Sequence, residues 1–420
     1  MTRGMLGRIA AHVLVVLVFA VGLMALFPST ASAIPAWSRK FDVACATCHY
    51  PTPPRLNAYG HKFRRAQMRT PEEFNKEPDW KKVGNYVSMR IRGGYKYESN
   101  ENPALATGGV TSGFALGDAT LFYAGPVAKN FSGFVELERP GNEEIIEAVV
   151  AAGGIAGNPD NFYTFRLGQF HTLTRVGWGG LDRPTGISTP MALSRPLVAG
   201  DAFKLNQDQV GLEGTWVHKN HRIIGQVLNG GDFADAMTTD RSDQNQAKDY
   251  QLAYELMWGE RSSGLTVFGY QGTANDPSDD TAPTPPDIVT LKRYGVTAAQ
   301  DFKGGFEVQG GYLRGTDNFD LPVATVESVD GEGWWIELEQ YFKGLKDLTI
   351  FGRYDFQDPN TDNNAKDDQR TQIVVGFSWP VGEWHARWGM EYRMINQEFG
   401  GATPGDYDDT QVVGELMLNF

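Results

Sequence analysis

Trp384-His385-Ala386-Arg387-Trp388-Gly389-Met390-Glu391-Tyr392-Arg393-Met394 alternates strictly in character. In an extended chain successive side chains point to opposite sides. Trp384, Ala386, Trp388, Met390, Tyr392 and Met394 therefore share one face, and His385, Arg387, Gly389, Glu391 and Arg393 the other. A soluble β-sandwich hides its apolar face and wets its charged one, whereas a membrane barrel does the reverse. Alternation alone leaves both open, and the connections between strands decide.

From about Val83 onward the alternation recurs in about sixteen segments, a count good to about two. Short links fall near Gly125 to Asn130, His218 to His221, Gly259 to Ser263, Phe302 to Gly305, Lys343 to Asp347 and Pro380 to Glu383. Long links intervene at Ser99 to Thr111, His171 to Phe203, Asn229 to Lys248, Thr273 to Asp287, Thr316 to Gly331, Gln357 to Gln369 and Asn396 to Asp409. Such a rhythm belongs to an up-and-down barrel with short periplasmic turns and long outer loops. The links at Pro140 to Glu144 and Ile155 to Asn161 fit it less clearly. Val412, Gly414, Leu416, Leu418 and the terminal Phe420 share a face, and Trp334, Trp379, Trp384 and Trp388 fall where amphipathic rings suit a membrane interface.

Parity also assigns the lumen. In the first strand Val87, Met89, Ile91, Gly93 and Tyr95 point one way, and Ser88, Arg90, Arg92, Gly94 and Lys96 the other. By the same argument Glu136, Glu138, Glu337, Glu339, Arg353, Asp355, His385, Arg387, Glu391 and Arg393 line a polar interior.

Ahead of the strands, Arg3 and Arg8 precede an apolar run from Ala10 to Phe27 and the small residues Ala31-Ser32-Ala33. This is the pattern of an export signal cleaved near Ala33, with a retained anchor as the alternative. The expected division is a signal peptide over 1–33, a small segment over 34–82 and a barrel over 83–420. The expected place is the outer membrane of a Gram-negative bacterium.

The small segment holds both cysteines of the chain, in Cys45-Ala46-Thr47-Cys48-His49. Two thiols at this spacing can each form a thioether with a haem vinyl, and the adjacent imidazole can serve as the proximal axial ligand. Cys45 and Cys48 are thus candidate anchors and His49 the candidate ligand of one covalent haem c. A redox CxxC pair, a disulfide and half of a zinc site are the alternatives; the last lacks a second cysteine pair. A segment this short has too small a core to enclose a haem, so the rest of the chain must shelter it. For the sixth iron position His61 ranks ahead of Met68, both on a helix predicted over Leu56 to Met68. Met89 falls on the lipid side by parity, and His171 and Met191 are remote.

A net charge of −13 argues against nucleic-acid partners. Aspartates gather in the long links, among them Asp232, Asp235, Asp276, Asp279, Asp362, Asp367 and Asp406. Solvated loops bridging lipopolysaccharide through divalent ions would look the same, and that reading is preferred to a dedicated cation site. His218 and His221 read as residues flanking a turn. Nothing in the sequence has the pattern of a nucleophile elbow, a phosphate-binding glycine loop or HExxH.

The segment Ala33-Ile34-Pro35-Ala36-Trp37-Ser38-Arg39-Lys40, the motif Cys45 to His49, and Pro54-Arg55-Leu56-Asn57-Ala58-Tyr59-Gly60 with Lys62 and Phe63 resemble a known family. It is the fused monohaem c-type cytochrome and porin of the outer membrane, best known from iron-oxidising bacteria. The motif likeness covers about the first fifth of the chain; beyond it the likeness is one of architecture. The resemblance implies a haem segment plugged in the lumen, passing electrons inward from extracellular Fe(II) to a periplasmic cytochrome or other carrier, which makes a ferrous iron:cytochrome oxidoreductase the candidate activity. The expected fold is accordingly all-β, a transmembrane barrel of about sixteen antiparallel strands with a small, mostly helical monohaem plug. A solute-conducting porin with a haem-bearing plug or sensor is the second reading.

Overall fold

The computed structural model describes residues 36–420 apart from 51, 54, 74, 101–108, 140–143, 154–157, 159, 172–184, 200–202, 207, 231–247, 260–262, 276–287, 320–327, 362–368, 382–384 and 399–406. The expected export signal, with Ala33, and the aspartates at 232, 235, 276, 279, 362, 367 and 406 lie outside the described residues.

Among the described residues, sixteen strands form one antiparallel sheet closed on itself. They are β1 (Val87–Asn100), β2 (Gly109–Ala128), β3 (Phe131–Arg139), β4 (Glu144–Gly153), β5 (Asn161–His171), β6 (Asp208–His218), β7 (His221–Leu228) and β8 (Asp249–Trp258). The second half comprises β9 (Ser263–Asn275), β10 (Ile288–Asp301), β11 (Phe306–Phe319), β12 (Ser328–Phe342), β13 (Leu348–Asp358), β14 (Arg370–Val381), β15 (Ala386–Gln397) and β16 (Tyr407–Asn419). Each pairs with its sequence neighbours, and β1 pairs with β16, Gly94 opposite Glu415 and Tyr97 opposite Val412. Closure leaves no edge, the requirement for a sheet in lipid. β3, β4 and β5 are separate strands on either side of the uncertain links, so the described strands number sixteen.

The stretch around Trp388 behaves as its alternation predicts. Arg387 and Glu391 are fully buried toward the lumen, while Met394 is 40 % exposed on the outside. The outer face exposes Leu116, Leu121, Leu167, Leu252, Ile336, Leu338 and Val375. An apolar belt of this size is a lipid-facing surface, since water would penalise it. Met89 is 39 % exposed on that same face, away from the lumen.

The lumen is filled from two sides. One filling is the N-terminal segment, with helices α1 (Ala36–Phe41) and α2 (Ala58–Arg65) and a 3-10 stretch, Trp80–Tyr86, leading into β1. Its partners circle the barrel near the short turns: Ala124, Ser132, Asp160, Glu255, Glu307, Glu339 and Arg387. The other is the β5–β6 connection, described over 185–199 and 203–206, with the short helix α3 (Met191–Ser194). Gly186 is needed there because a Cβ would run into Glu391 and Phe351 of the wall. Ser188 N donates to Glu391 Oε1 at 3.0 Å, Arg353 Nη1 donates to Ser188 O at 2.9 Å, and Ala199 N to Pro359 O at 2.8 Å.

The interior is less polar than parity predicts. Leu193, Leu197, Phe203 and Leu205 of the inward connection pack against Ile224, Ala253, Phe268, Leu291, Leu313 and Trp335 of the wall. Those wall positions are apolar because protein, not water, covers them. Elsewhere the expectation holds: Arg90 and Arg92 pair with Asp118, and Arg90 also reaches Glu136 and Glu138.

Candidate functional site

Cys45–Thr47 forms a single 3-10 turn, closed by Cys48 N donating to Cys45 O at 3.1 Å and His49 N to the same oxygen at 2.9 Å. Side chains three apart eclipse in this geometry, so both thiols leave the turn on one side. The thiols are not bridged, and Cys45 and Cys48 are half-buried. Burial, and next the neighbouring Cys45, pushes the Cys48 thiol up to about 11. It is therefore a protonated thiol at neutral pH rather than the activated thiolate of a redox pair.

Asn57 organises the turn. Its amide donates to Ala46 O at 3.0 Å, Thr47 O at 3.1 Å and His49 O at 3.4 Å, and its backbone N to Cys48 O at 3.0 Å. Its Oδ1 accepts from Gly60 N at 3.0 Å, capping α2. One residue thus caps the helix and holds the motif against it. Gly60 permits the contact: a Cβ there would run into Cys48 O. Gly60→Ala is expected to destabilise the segment by about 1–3 kcal/mol through overpacking. It should speed limited proteolysis of the segment, whereas Gly84→Ala, where a Cβ meets open space, should not; equal cleavage rates from the two would refute the packing argument.

The imidazole of His49 has its Nδ1 3.2 Å from Arg55 O. With Nδ1 donating there, a metal would be taken through Nε2. Two unbridged thiols on one side of a turn and an imidazole in this tautomer are a donor set that fits a covalently held haem.

The helix predicted over Leu56 to Met68 carries both His61 and Met68, and the structure separates them. The helix ends at Arg65, because Gln67 and Met68 both take left-handed backbone (φ 60° and 57°). Met68 N donates to Phe63 O and Gln67 N to Arg64 O, both at 3.0 Å, a Schellman closure built without glycine. Met68 then packs with Phe63 and Ala124, beside Trp37 and Phe41. His61 is buried on the α2 face that carries Ala58 and Arg65, toward Met257, Ala299 and Glu255. Burial, and then Arg65 and Arg222, hold its imidazole well below the ordinary histidine value, so it is neutral. Trp37 donates its indole N–H to Ala124 O at 3.1 Å and meets the Phe63 ring edge-on at 5.3 Å.

The segment's cations fix it in the barrel. Over residues 34–70 it carries Arg39, Lys40, Arg55, Lys62, Arg64, Arg65 and Arg69 against Asp42 alone, within a chain of net charge −13. Arg55 pairs with Glu307 and Glu339, all with side chains no more than 1 % exposed. Arg65 pairs with Glu255, which also takes Arg222 at 3.3 Å. Arg69 donates to Ser132 Oγ at 3.0 Å, Lys129 O at 2.9 Å and Phe131 O at 2.8 Å, tying the end of the segment to the β2–β3 turn. The roles of Arg55, Asn57 and Gly60 were missed in the sequence. Asn57 had a local signal, an Asn immediately ahead of a helix; the partners of Arg55 lie 252 and 284 residues away.

His218 and His221 flank the β6–β7 turn, with Lys219 left-handed between them. The His218 ring stacks on Trp216, and His221 Nδ1 lies 2.7 Å from Tyr254 Oη. These are turn and interface contacts, as read from the sequence.

The sequence matches no family model and no curated protein. Solved structures do resemble the fold. The outer membrane channel DcaP of Acinetobacter baumannii superimposes with a TM-score of 0.57 at 14 % identity, over 80 % of this chain and 96 % of that one. The fold is that of an outer-membrane porin. An anion-selective porin from Comamonas acidovorans gives 0.54 at 12 % identity over 80 % and 98 %. A loop-deletion mutant of OmpT of Vibrio cholerae gives 0.51 at 13 % over 80 % and 99 %. At these identities the likeness is one of fold.

Proposed function

We propose that this chain is an outer-membrane electron-transfer protein in which Cys45, Cys48 and His49 hold one haem c at the lumen of the barrel. The observation that carries the reading is the unbridged thiol pair and His49 on a basic segment locked inside a membrane-type barrel by buried ion pairs. Bound there, a haem c supplies a one-electron couple. Asn57 and Gly60 hold the motif turn, Arg55 O orients His49, and the segment and the inward connection occupy the lumen. His61 and Met68 remain the candidates of this segment for the distal position, His61 as a neutral imidazole. The net reaction is loss of one electron by an extracellular donor, with Fe(II) as the candidate, and gain of one by a periplasmic cytochrome or other carrier. The apolar outer belt implies outer-membrane lipid as surroundings.

The structural relatives support a second reading, a solute-conducting porin with a haem-bearing plug or sensor. Proteoliposomes enclosing an electron acceptor separate the two. External Fe(II) should reduce the enclosed acceptor with little leak of an enclosed sugar. Sugar release without acceptor reduction would select the porin.

A further inference from the structure

We propose that Arg55 is the positioning residue for His49, so that the barrel wall, acting through Arg55, sets the imidazole that haem c would take as its proximal ligand. The inference rests on the haem reading above. Arg55 O lies 3.2 Å from His49 Nδ1 and accepts Tyr50 N at 3.0 Å, and His49 bridges Leu56 in a short antiparallel pair. A carbonyl that takes the Nδ1 proton of a ligating histidine fixes its tautomer and ring plane and raises its basicity. Here the carbonyl's own residue is immobilised from the barrel. The Arg55 guanidinium donates to Glu339 Oε1 at 2.7 Å and to Glu307, and lies 4.6 Å from the Tyr50 ring centre. The Tyr50 ring in turn faces Tyr341 of β12 at 6.3 Å.

Glu307 and Glu339 are direct partners across β11 and β12. The wall therefore offers two carboxylates side by side, and a planar guanidinium can engage both where an ammonium serves as a point charge. That difference separates position from charge. Arg55→Lys keeps the cation but loses the fork; Arg55→Met loses both.

The test uses the full chain in detergent, with barrel folding checked by heat-modifiable migration and covalent haem by pyridine haemochrome. If the fork positions His49, its loss weakens the Nδ1 bond and makes the imidazole a poorer donor to ferric iron. Arg55→Lys should then raise the reduced-to-oxidised ratio at a fixed poise about tenfold, ~59 mV for a one-electron couple. Its ferric EPR signature should change as well. Arg55→Met should rise less, because losing a cation favours the ferric state. Glu339→Gln, which spares the guanidinium and one carboxylate, is the second variant should Arg55→Lys not fold, and should move the ratio and the spectrum in the direction of Arg55→Lys. Wild-type ratio and spectrum in a folded, haem-bearing Arg55→Lys, or in Glu339→Gln used in its place, overturn the proposal alone. A wild-type chain without covalent haem overturns the haem reading and this inference with it.

Discussion

Serine at both Cys45 and Cys48 is expected to abolish haem staining of the denatured chain and to leave the barrel folded. Neither thiol belongs to an apolar cluster of the segment, and both are half-buried on the motif turn, so the substitution removes chemistry rather than packing. Heat-modifiable migration should match wild type. The alternatives read from the same spacing give different results. A redox pair or a disulfide would leave the reduced, denatured wild-type chain with two alkylatable thiols and no haem band, whereas two thioethers leave neither thiol reactive. Two alkylated thiols in the wild type would therefore sink the haem reading outright.

The second large effect concerns the lock. Arg65→Met with Arg69→Met should release the segment from the wall. Arg65 and Glu255 are almost wholly buried, with side chains 4 % and 1 % exposed. Removing one partner of such a pair costs about 3–5 kcal/mol, because the other charge stays buried. Arg222, 3.3 Å from Glu255, softens that loss, and the loss of the Arg69 contacts to Ser132, Lys129 and Phe131 adds to it. At 1.4 kcal/mol per tenfold, the undocked population rises about a hundredfold to a thousandfold. Limited trypsin cleavage within 36–86 tracks that population when reclosing is fast. The cleavage rate should rise by that factor while the strands stay intact. Channel conductance should rise less, since the inward connection, held to Glu391, Arg353 and Pro359, still obstructs the lumen. A wild-type cleavage rate would show that these arginines do not lock the segment.

The wall was legible because a strand's period of two survives any tertiary context. Arg387, Glu391 and Met394 went where parity sent them, and Met89 with them. The apolar inner patch at Ile224, Phe268, Leu291 and Leu313 was not legible, because it depends on which connection folds inward. The site was half legible. Cys45, Cys48 and His49 announce themselves by spacing, whereas the cap at Asn57 is hidden by a helix predicted to begin one residue earlier, at Leu56. The helix was read too long because its closure uses Gln67 and Met68 in left-handed backbone, where the usual signal is a glycine. Arg55 gave no local sign at all, since its meaning lies in two glutamates on distant strands.

Those two glutamates bear on how the lumen is neutralised. Glu307 and Glu339 are opposed on adjacent strands, almost without access to water, and Arg55 reaches both. Without the segment the couple would face an open lumen, where water, counter-ions or a shared proton would have to offset their repulsion. The segment is thus the barrel's own counter-ion, carried at the head of the same chain and seated against glutamates 252 and 284 residues further on.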